Sequence, residues 1–267
     1  MGAGLETDND FFAVSQIGDI LLIRGKKGSV RHMTNLDGIA AFFESLERIT
    51  SCEPVKAAVF LGPPDRSGGP EILDVYRLAL SSRREDYVLQ RLFNVVNSYV
   101  ARLAALEKIT ISAEQGRVDA FFLNLSLACD YRIVTEDAVY ENPGAELGLV
   151  SKGGGGYFMS RMFGSRKAGE VMLRTRMLPE EALRLGLADR VVPAAELEAS
   201  ALSVAASYLE KPVAALLNVR KLLKGDPEEL RRSLELEDLL ILNRVNAPDF
   251  PPLLEKTLSM REVPLAG

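Results

Sequence analysis

Apolar residues in the first half of the chain fall into short runs separated by turn residues. The segment FFAVSQIGDILLIRG has two such runs, one on each side of Gly18, which predicts a pair of short strands. The runs at 55–62 and 108–116 are apolar at consecutive positions, as is typical of strands buried on both faces. The segment DYRIVTEDAVYENP predicts a further strand.

Helical patterns occupy the intervals between these runs. They predict helices over about 75–106 and 120–128, and another through LDGIAAFFESLERI, for which Asn35 or Thr34 would be the N-terminal cap. From about Lys167 onward the pattern becomes predominantly helical. Strands that alternate with helices predict an α/β protein with parallel strand pairing, followed by a helical region.

Composition and charge narrow the class of protein. A chain of 267 residues suits one large domain, or one domain with an appendage. The net charge of −5 gives no general attraction to nucleic acid or to an anionic membrane. The N-terminus has no basic segment followed by an apolar run, and no apolar stretch reaches about 18 residues. Two cysteines, Cys52 and Cys129, fit a reducing compartment, so we expect a cytoplasmic protein.

The residue inventory excludes several kinds of active site. With one histidine, His32, and two cysteines, no metal site is predicted. A Ser-His-Asp triad would have to use His32, and the sequence has no G-x-S-x-G motif. The glycine run at 153–156 is similar to a phosphate-binding loop, but no Gly-Lys-Ser/Thr follows it.

Several motifs resemble the core of the crotonase (enoyl-CoA hydratase/isomerase) superfamily. They are LACDYR, the turn and glycine run in ENPGAELGLVSKGGGG, and EEALRLGLADRVVP. The match extends from Ile111 to Pro193 without a gap. The resemblance implies a crotonase (ClpP/crotonase-like) α/β fold, with a spiral of ββα units over residues 1–200 and a helical region over 201–267 that forms trimers, which often pair into hexamers.

The resemblance also implies chemistry. Members bind acyl-CoA thioesters as substrate or ligand, and no further cofactor is expected. Two backbone N–H groups stabilise an enolate or a tetrahedral oxyanion, and carboxylates, usually glutamates, move protons.

This sequence departs from the family at the proton-transfer positions. Counting back from Asp130, the first family glutamate corresponds to Asn124. The second follows Pro143 and corresponds to Gly144. Neither asparagine nor glycine can exchange a proton at neutral pH, so standard hydratase activity is predicted to be absent.

The oxyanion hole also departs from the family pattern. The family's Gly-Gly-Gly is Ala-Phe-Phe here, and its middle position, which presents one N–H, is Phe121. The second N–H would come from Pro70, which has none, or from Gly69 if the loop is shifted by one residue. We expect the ring of Phe121 or Phe122 to enter the acyl cavity and shrink it.

Other residues could replace the missing groups. Lys152 stands where some related isomerases and dehalogenases have a catalytic aspartate, and it could place a cation beside an enolate. The alternative is an exposed loop lysine. Asp119 is predicted to cap the following helix rather than to catalyse. Glu114 and Glu141 flank the expected cavity.

Two basic clusters are candidates for CoA recognition. The first comprises Lys26, Lys27 and Arg31, and the second comprises Arg220, Lys221 and Lys224. Solvated surfaces are the alternative. The hypothesis is an acyl-CoA-binding protein that is an atypical lyase, isomerase or decarboxylase, or is inactive. The alternative is a non-catalytic subunit that pairs with an active paralogue.

Overall fold

The computed structural model of the chain describes residues 6–52, 54–63, 71–81, 85–223 and 225–262. The described strands are β1 (Thr7–Asp8), β2 (Phe12–Ile17), β3 (Ile20–Gly25), β4 (Ala57–Leu61), β5 (Ile109–Glu114), β6 (Arg117–Asp119), β7 (Tyr131–Thr135), β8 (Val139–Glu141), β9 (Arg176–Met177) and β10 (Arg190–Val192). The described helices are α1 (Ser29–His32), α2 (Leu36–Ser51), α3 (Glu71–Ser81), α4 (Glu85–Ala105), α5 (Ala120–Ser126), α6 (Pro143–Glu146), α7 (Gly155–Met172), α8 (Pro179–Leu185), α9 (Leu197–Leu209), α10 (Val213–Leu223), α11 (Pro227–Val245) and α12 (Phe250–Glu262).

The strands form two sheets. The larger has seven strands in the order β1-β2-β3-β4-β5-β7-β10. Its first two pairings are antiparallel, and the four from β3 to β10 are parallel. The smaller sheet has the order β6-β8-β9, in which β6 and β8 are parallel and β8 and β9 antiparallel. The predicted α/β class with parallel pairing is confirmed.

The two faces of the larger sheet belong to different parts of the core. Ile111 and Ala113 of β5 pack on the face covered by α9, with Leu197 and Ala201. Successive side chains of a strand point to opposite faces. Ser112 and Glu114 therefore face the other side of the sheet, where α4 and α5 lie. This alternation places Ser112 and Glu114, and not Ile111 and Ala113, on the side of the sheet where α4 and α5 lie.

The sequence pattern was wrong about several boundaries. The helix predicted over 75–106 is two helices, α3 and α4. Strands β9 and β10 lie inside the region predicted to be helical, and each has only two or three residues, too few to show a period of two. Residue 200, where the resemblance ends the spiral core, lies within α9, and the division into two regions stays a prediction. None of the described helices is long and apolar enough to cross a bilayer.

The N-terminus of α2 provides a test of the local structure. The Oδ1 atom of Asn35 accepts hydrogen bonds from the backbone N–H of Asp37 at 2.9 Å and of Gly38 at 3.4 Å. We expect Asn35→Ala to lower the free energy of unfolding by about 1 kcal/mol, because an N-cap oxygen satisfies otherwise unpaired N–H groups. Asn35→Asp should change it little. Urea unfolding measures both, and equal losses for the two variants would contradict the capping role.

Candidate functional site

The site is organised around α5, and its N-terminus is closed by a side chain of this chain. Strand β6 ends at Asp119, whose Oδ1 accepts a hydrogen bond of 2.8 Å from the backbone N–H of Phe121. The prediction that Asp119 caps this helix is confirmed. The N–H expected to face a thioester oxygen is therefore donated to a carboxylate.

A cavity lies on each side of α5. The strand-end cavity, of about 120 Å³, borders Phe122, Leu125, Ser126 and Cys129. The helix-side cavity, of about 30 Å³, borders Ala120, Leu123, Asn124, Glu141, Asn142 and Ser151, among others. A water molecule needs about 10–15 Å³ of such space. The helix-side cavity therefore has room for about two or three waters, whereas the strand-end cavity can hold a group of several heavy atoms.

The two phenylalanines of α5 point in different directions. Phe121 is fully buried and packs in the main core with Leu147 and Leu149. Phe122 lines the strand-end cavity. The ring of Phe122 thus borders a cavity, whereas the ring of Phe121 packs in the core.

Asn124 holds a neighbouring loop. The residue is buried, and its Nδ2 donates to the carbonyl oxygens of Ser151 and Lys152 at 3.2 and 3.1 Å. A Cβ at Gly155 would lie 2.5 Å from Asn124 Oδ1, so the first turn of α7 approaches this amide closely. Asn124, which the resemblance places at a glutamate position of the family, is therefore part of the packing between α5 and the loop before α7.

The space around position 144 does not require a glycine there. Gly144 lies in α6, and its φ is not in the left-handed region. An added Cβ would meet Leu149 Cβ at 3.4 Å and Asn142 Oδ1 at 3.5 Å, which are ordinary contacts. A larger side chain can start from this position without a backbone shift.

The glycine run at 153–156 donates hydrogen bonds to a carboxylate of the protein itself. The N–H groups of Gly153 and Gly154 donate to the carboxylate of Glu237 on α11, at 3.1 Å each. Gly153 and Gly154 have φ of 114° and 86°, which favours glycine. Burial raises the pKa of Glu237, while Lys152 and the two N–H groups act in the opposite direction. These N–H groups are thus occupied by Glu237.

Lys152 occupies the centre of a buried charged cluster. Its side chain has no exposed surface, and Nζ lies 2.7 Å from Asp238 Oδ1 and 3.6 Å from Glu237 Oε2. Nζ also donates to Leu234 O at 3.0 Å and to Asn97 Oδ1. The alternative of an exposed loop lysine is wrong. The ammonium lies between α4 and α11, and Lys152 is not among the described residues that line either cavity.

The first basic cluster is divided between two places. Lys26 lines the strand-end cavity and pairs with Asp8. Lys27 and Arg31 border a separate surface pocket beside Glu71, whose carboxylate accepts hydrogen bonds from the N–H groups of Gly28 and Val30.

The second basic cluster includes a structural residue. Arg220 has a side chain only 10% exposed, pairs with Asp130 at 2.7 Å and donates to the carbonyl oxygens of Leu106 and Lys108. Lys221 is exposed on α10 and pairs with Glu107. Three candidates, Gly69, Pro70 and Lys224, lie outside the described residues.

The strand-end cavity contains polar groups of its own. Glu114 and Ser112 of β5 line it, together with Tyr99 and Cys129. Burial raises the pKa of Cys129 to about 12, with a smaller contribution from Asp130, so the thiol stays protonated and is a poor nucleophile. The period-two alternation of ITISAE places Ser112 and Glu114 on one face, and this signal was available in the sequence.

Comparisons with known proteins identify the family. A family model described as enoyl-CoA hydratase/isomerase matches residues 35–241. Ethylmalonyl-CoA decarboxylase of Rattus norvegicus is 36% identical over 126 residues, a match that spans 47% of this chain but only 42% of the decarboxylase. The 4-chlorobenzoyl coenzyme A dehalogenase-2 of Arthrobacter sp is 25% identical over 241 residues, or 89% of this chain and 87% of the dehalogenase.

Among solved structures, an enoyl-CoA hydratase from Bacillus halodurans is similar with a TM-score of 0.77 at 22% identity. That match covers 92% of this chain and 99% of the other. The predicted crotonase-like fold is confirmed.

We expect substitution of Lys152 to destabilise the protein strongly, because its ammonium neutralises a buried charged cluster. Lys152→Met would leave the buried carboxylate of Glu237 and the partly buried carboxylate of Asp238 without their cation, and we expect the free energy of unfolding to fall by about 3–5 kcal/mol. Lys221→Met, which removes an exposed ion pair, should cost about 1 kcal/mol or less. Urea unfolding of both variants measures the difference, and equal costs would show that the buried cluster does not stabilise the fold.

Proposed function

Because the chain belongs to the enoyl-CoA hydratase/isomerase family, we propose that it binds an acyl-CoA thioester and does not hydrate enoyl thioesters. The observation that carries the proposal is the hydrogen bond from the Phe121 N–H to the Asp119 carboxylate. An oxyanion hole needs N–H groups aimed at the oxygen on which negative charge develops. A carboxylate at this N–H occupies the donor and repels such an oxyanion.

The absence of a proton-transfer group at Asn124 and at Gly144 is a second argument against hydration. Asn124 and Gly144 can serve neither as base for water nor as acid for the α-carbon. Each general acid or base contributes about 10²–10⁴ in rate, and one oxyanion donor contributes about 2.7–4 kcal/mol. The combined loss reduces hydration to a trace.

Decarboxylation of a carboxyacyl-CoA is a second candidate function. It is supported by the match to ethylmalonyl-CoA decarboxylase, and loss of CO₂ requires no base to activate an attacking water. A non-catalytic subunit that pairs with an active paralogue is the alternative from another class. Calorimetry with acyl-CoA thioesters, combined with a turnover assay, separates an enzyme from the subunit, because binding without turnover favours the non-catalytic subunit.

The proposal predicts how hydratase activity would respond if the carboxylates and the free oxyanion donor were restored by substitution. The unmodified protein should not consume crotonyl-CoA above a trace rate. Asn124→Glu with Gly144→Glu should recover little, because Asp119 still occupies the Phe121 N–H. Adding Asp119→Ala to that pair should raise the rate more than either change alone, since these groups act as a unit.

The measurement is loss of the enoyl-thioester chromophore, with thermal unfolding to verify that each variant folds. Asn35→Ala added to the glutamate pair is the matched control, because it also removes a helix cap, at the N-terminus of α2 and not of α5. Robust turnover by the unmodified protein would contradict the proposal.

Exposed leucines on the C-terminal helices support association of several copies. Leu222 and Leu223 of α10 are 84% and 76% exposed, and Leu239 of α11 is 55% exposed. We expect a homotrimer or a dimer of trimers, because burying these side chains together removes apolar surface from water.

Light scattering at micromolar concentration tests this assembly. Leu222→Glu with Leu223→Glu should shift the protein toward monomer, whereas Leu36→Glu, at an exposed position of α2, should leave the mass unchanged. A clean monomer from the unmodified chain would overturn the expectation.

A further inference from the structure

A third cavity, of about 630 Å³, lies beneath α10, and we call it the α10 cavity. It borders Ile109, the first residue of β5, and Asp130, which directly precedes β7, so it lies at the amino ends of the parallel strands. Phe121, Asn124 and Gly144 are not among the described residues that line it. Pockets that hold small molecules measure about 300–1,000 Å³. The α10 cavity therefore has the size of a ligand site and is separate from the site beside α5.

The walls of the α10 cavity are apolar. Ala104 and Ala105 of α4 and Phe158 of α7 line it, and α10 contributes Val219 and Leu223, which are 53% and 76% exposed. None of the residues of α10 is fully buried. A hydrocarbon chain in the cavity would remove these exposed apolar side chains from water, which is favourable. The walls thus favour a ligand with an apolar body.

The wall formed by α10 is fixed in place by one arginine. Arg220 reaches from α10 to Asp130 at 2.7 Å and to the carbonyl oxygens of Leu106 and Lys108 at 2.6 Å each. These charge-assisted hydrogen bonds are of the strong kind. The cavity is therefore formed before a ligand enters, and no ordering of α10 opposes binding.

Two polar side chains meet at one edge of the α10 cavity. Tyr157 and Arg161 both line it, and the Arg161 guanidinium lies 5.4 Å from the centre of the Tyr157 ring. A Cβ added at Gly225 would overlap the Tyr157 hydroxyl and lie 2.7 Å from Arg161 Cζ, so both groups reach the same point. Burial raises the pKa of Tyr157, which keeps its hydroxyl protonated. A hydroxyl donor and a guanidinium side by side suit the two oxygens of a carboxylate.

Arg161 is more available to a ligand than the other arginines of this cavity. Arg132 and Arg220 pair with aspartates at 3.0 and 2.7 Å, and their side chains are 12% and 10% exposed. Arg161 lies 3.5 Å from Glu229, and these two side chains are 46% and 57% exposed. An exposed ion pair of this kind contributes little to stability, so the anion of a ligand can take the place of Glu229.

We propose that the α10 cavity is a second ligand site, which binds a fatty acid with its hydrocarbon chain against α4 and α10 and its carboxylate at Arg161 and Tyr157. The site does not depend on thioester binding, because it lies at the other edge of the sheet from the strand-end cavity. It adds to the protein a binding activity for free carboxylic acids that the proposed function does not include.

Calorimetry with decanoate, decanol and decylamine tests the choice of head group. Decanoate should bind the unmodified protein about threefold to fivefold tighter than decanol, the factor for one exposed ion pair. Decylamine should bind more weakly than decanol, because its ammonium would meet the Arg161 guanidinium. Octanoate should bind about tenfold more weakly than decanoate, since it buries two methylene groups fewer. Equal affinities for the three head groups would overturn the role of Arg161.

Substitutions at the polar edge separate recognition from packing. Arg161→Gln should remove the preference for decanoate over decanol, whereas Glu229→Gln should strengthen decanoate binding, because it removes the competing carboxylate. Arg102→Gln is the matched control: Arg102 is 47% exposed, pairs with Glu47 and lies 5.4 Å from the Phe43 ring centre, but does not line the cavity. It should leave the preference unchanged. Weaker decanoate binding in Glu229→Gln would contradict the proposal.

Filling the α10 cavity tests where the chain lies. Ala105→Trp should weaken decanoate binding at least about tenfold, whereas Ala40→Trp, at an exposed position of α2, should leave it unchanged. Light scattering on both variants tests whether a second copy occupies the cavity instead. Loss of assembly in Ala105→Trp, without decanoate binding to the unmodified protein, would show that the cavity is an interface between copies and overturn the proposal.

The ligand series on the unmodified protein decides the matter even if a variant fails to fold. No binding of decanoate at millimolar concentration would overturn the proposal and leave the proposed function untouched. Saturating butyryl-CoA should not change the affinity for decanoate. Competition between the two would show that decanoate occupies the thioester site, and the α10 cavity would then not be a second site.

Discussion

The ion pairs of Lys152 with Asp238 and Glu237 fix the loop on which the site depends. Glu237 accepts the N–H groups of Gly153 and Gly154, and Lys152 neutralises its charge from the same loop. Because α11 supplies both carboxylates, the C-terminal helical region holds the start of α7 in place. Asn124 then joins the loop to α5 through the carbonyl oxygens of Ser151 and Lys152. The buried ammonium of Lys152 thereby fixes the positions of α5, α7 and α11 relative to one another.

Such a cluster is expensive to bury, and its geometry shows how the cost is met. Asn97 connects the members, because its Oδ1 accepts from Lys152 and its Nδ2 donates to Asp238 Oδ2 at 2.7 Å. The nearby hydroxyl of Tyr76 has its pKa raised, first by burial and then by Asp119, Glu237 and Asp238. It therefore stays neutral and adds no charge. Backbone N–H groups, an amide and one ammonium together replace the water that two carboxylates lose on burial.

The sequence predicted the elements whose signal is local. The apolar runs of β4 and β5 and the cap at Asp119 are properties of a few consecutive residues, and the structure has all three. The surroundings of Lys152 could not be predicted in this way. Its partners Asn97 and Glu237 lie 55 and 85 positions away along the chain, and no periodicity connects them. The family pattern gave the position of Lys152 but not the direction of its side chain.

The same limit explains why α5 could be located but not interpreted from its sequence. On one side of this helix, the Asn124 amide nitrogen donates to the neighbouring loop, and at its N-terminus the Phe121 N–H donates to Asp119. A catalytic helix in this family would keep those groups directed at a substrate. Here they are hydrogen-bonded within the protein, so the same groups hold α5 against the loop before α7 and cap its N-terminus.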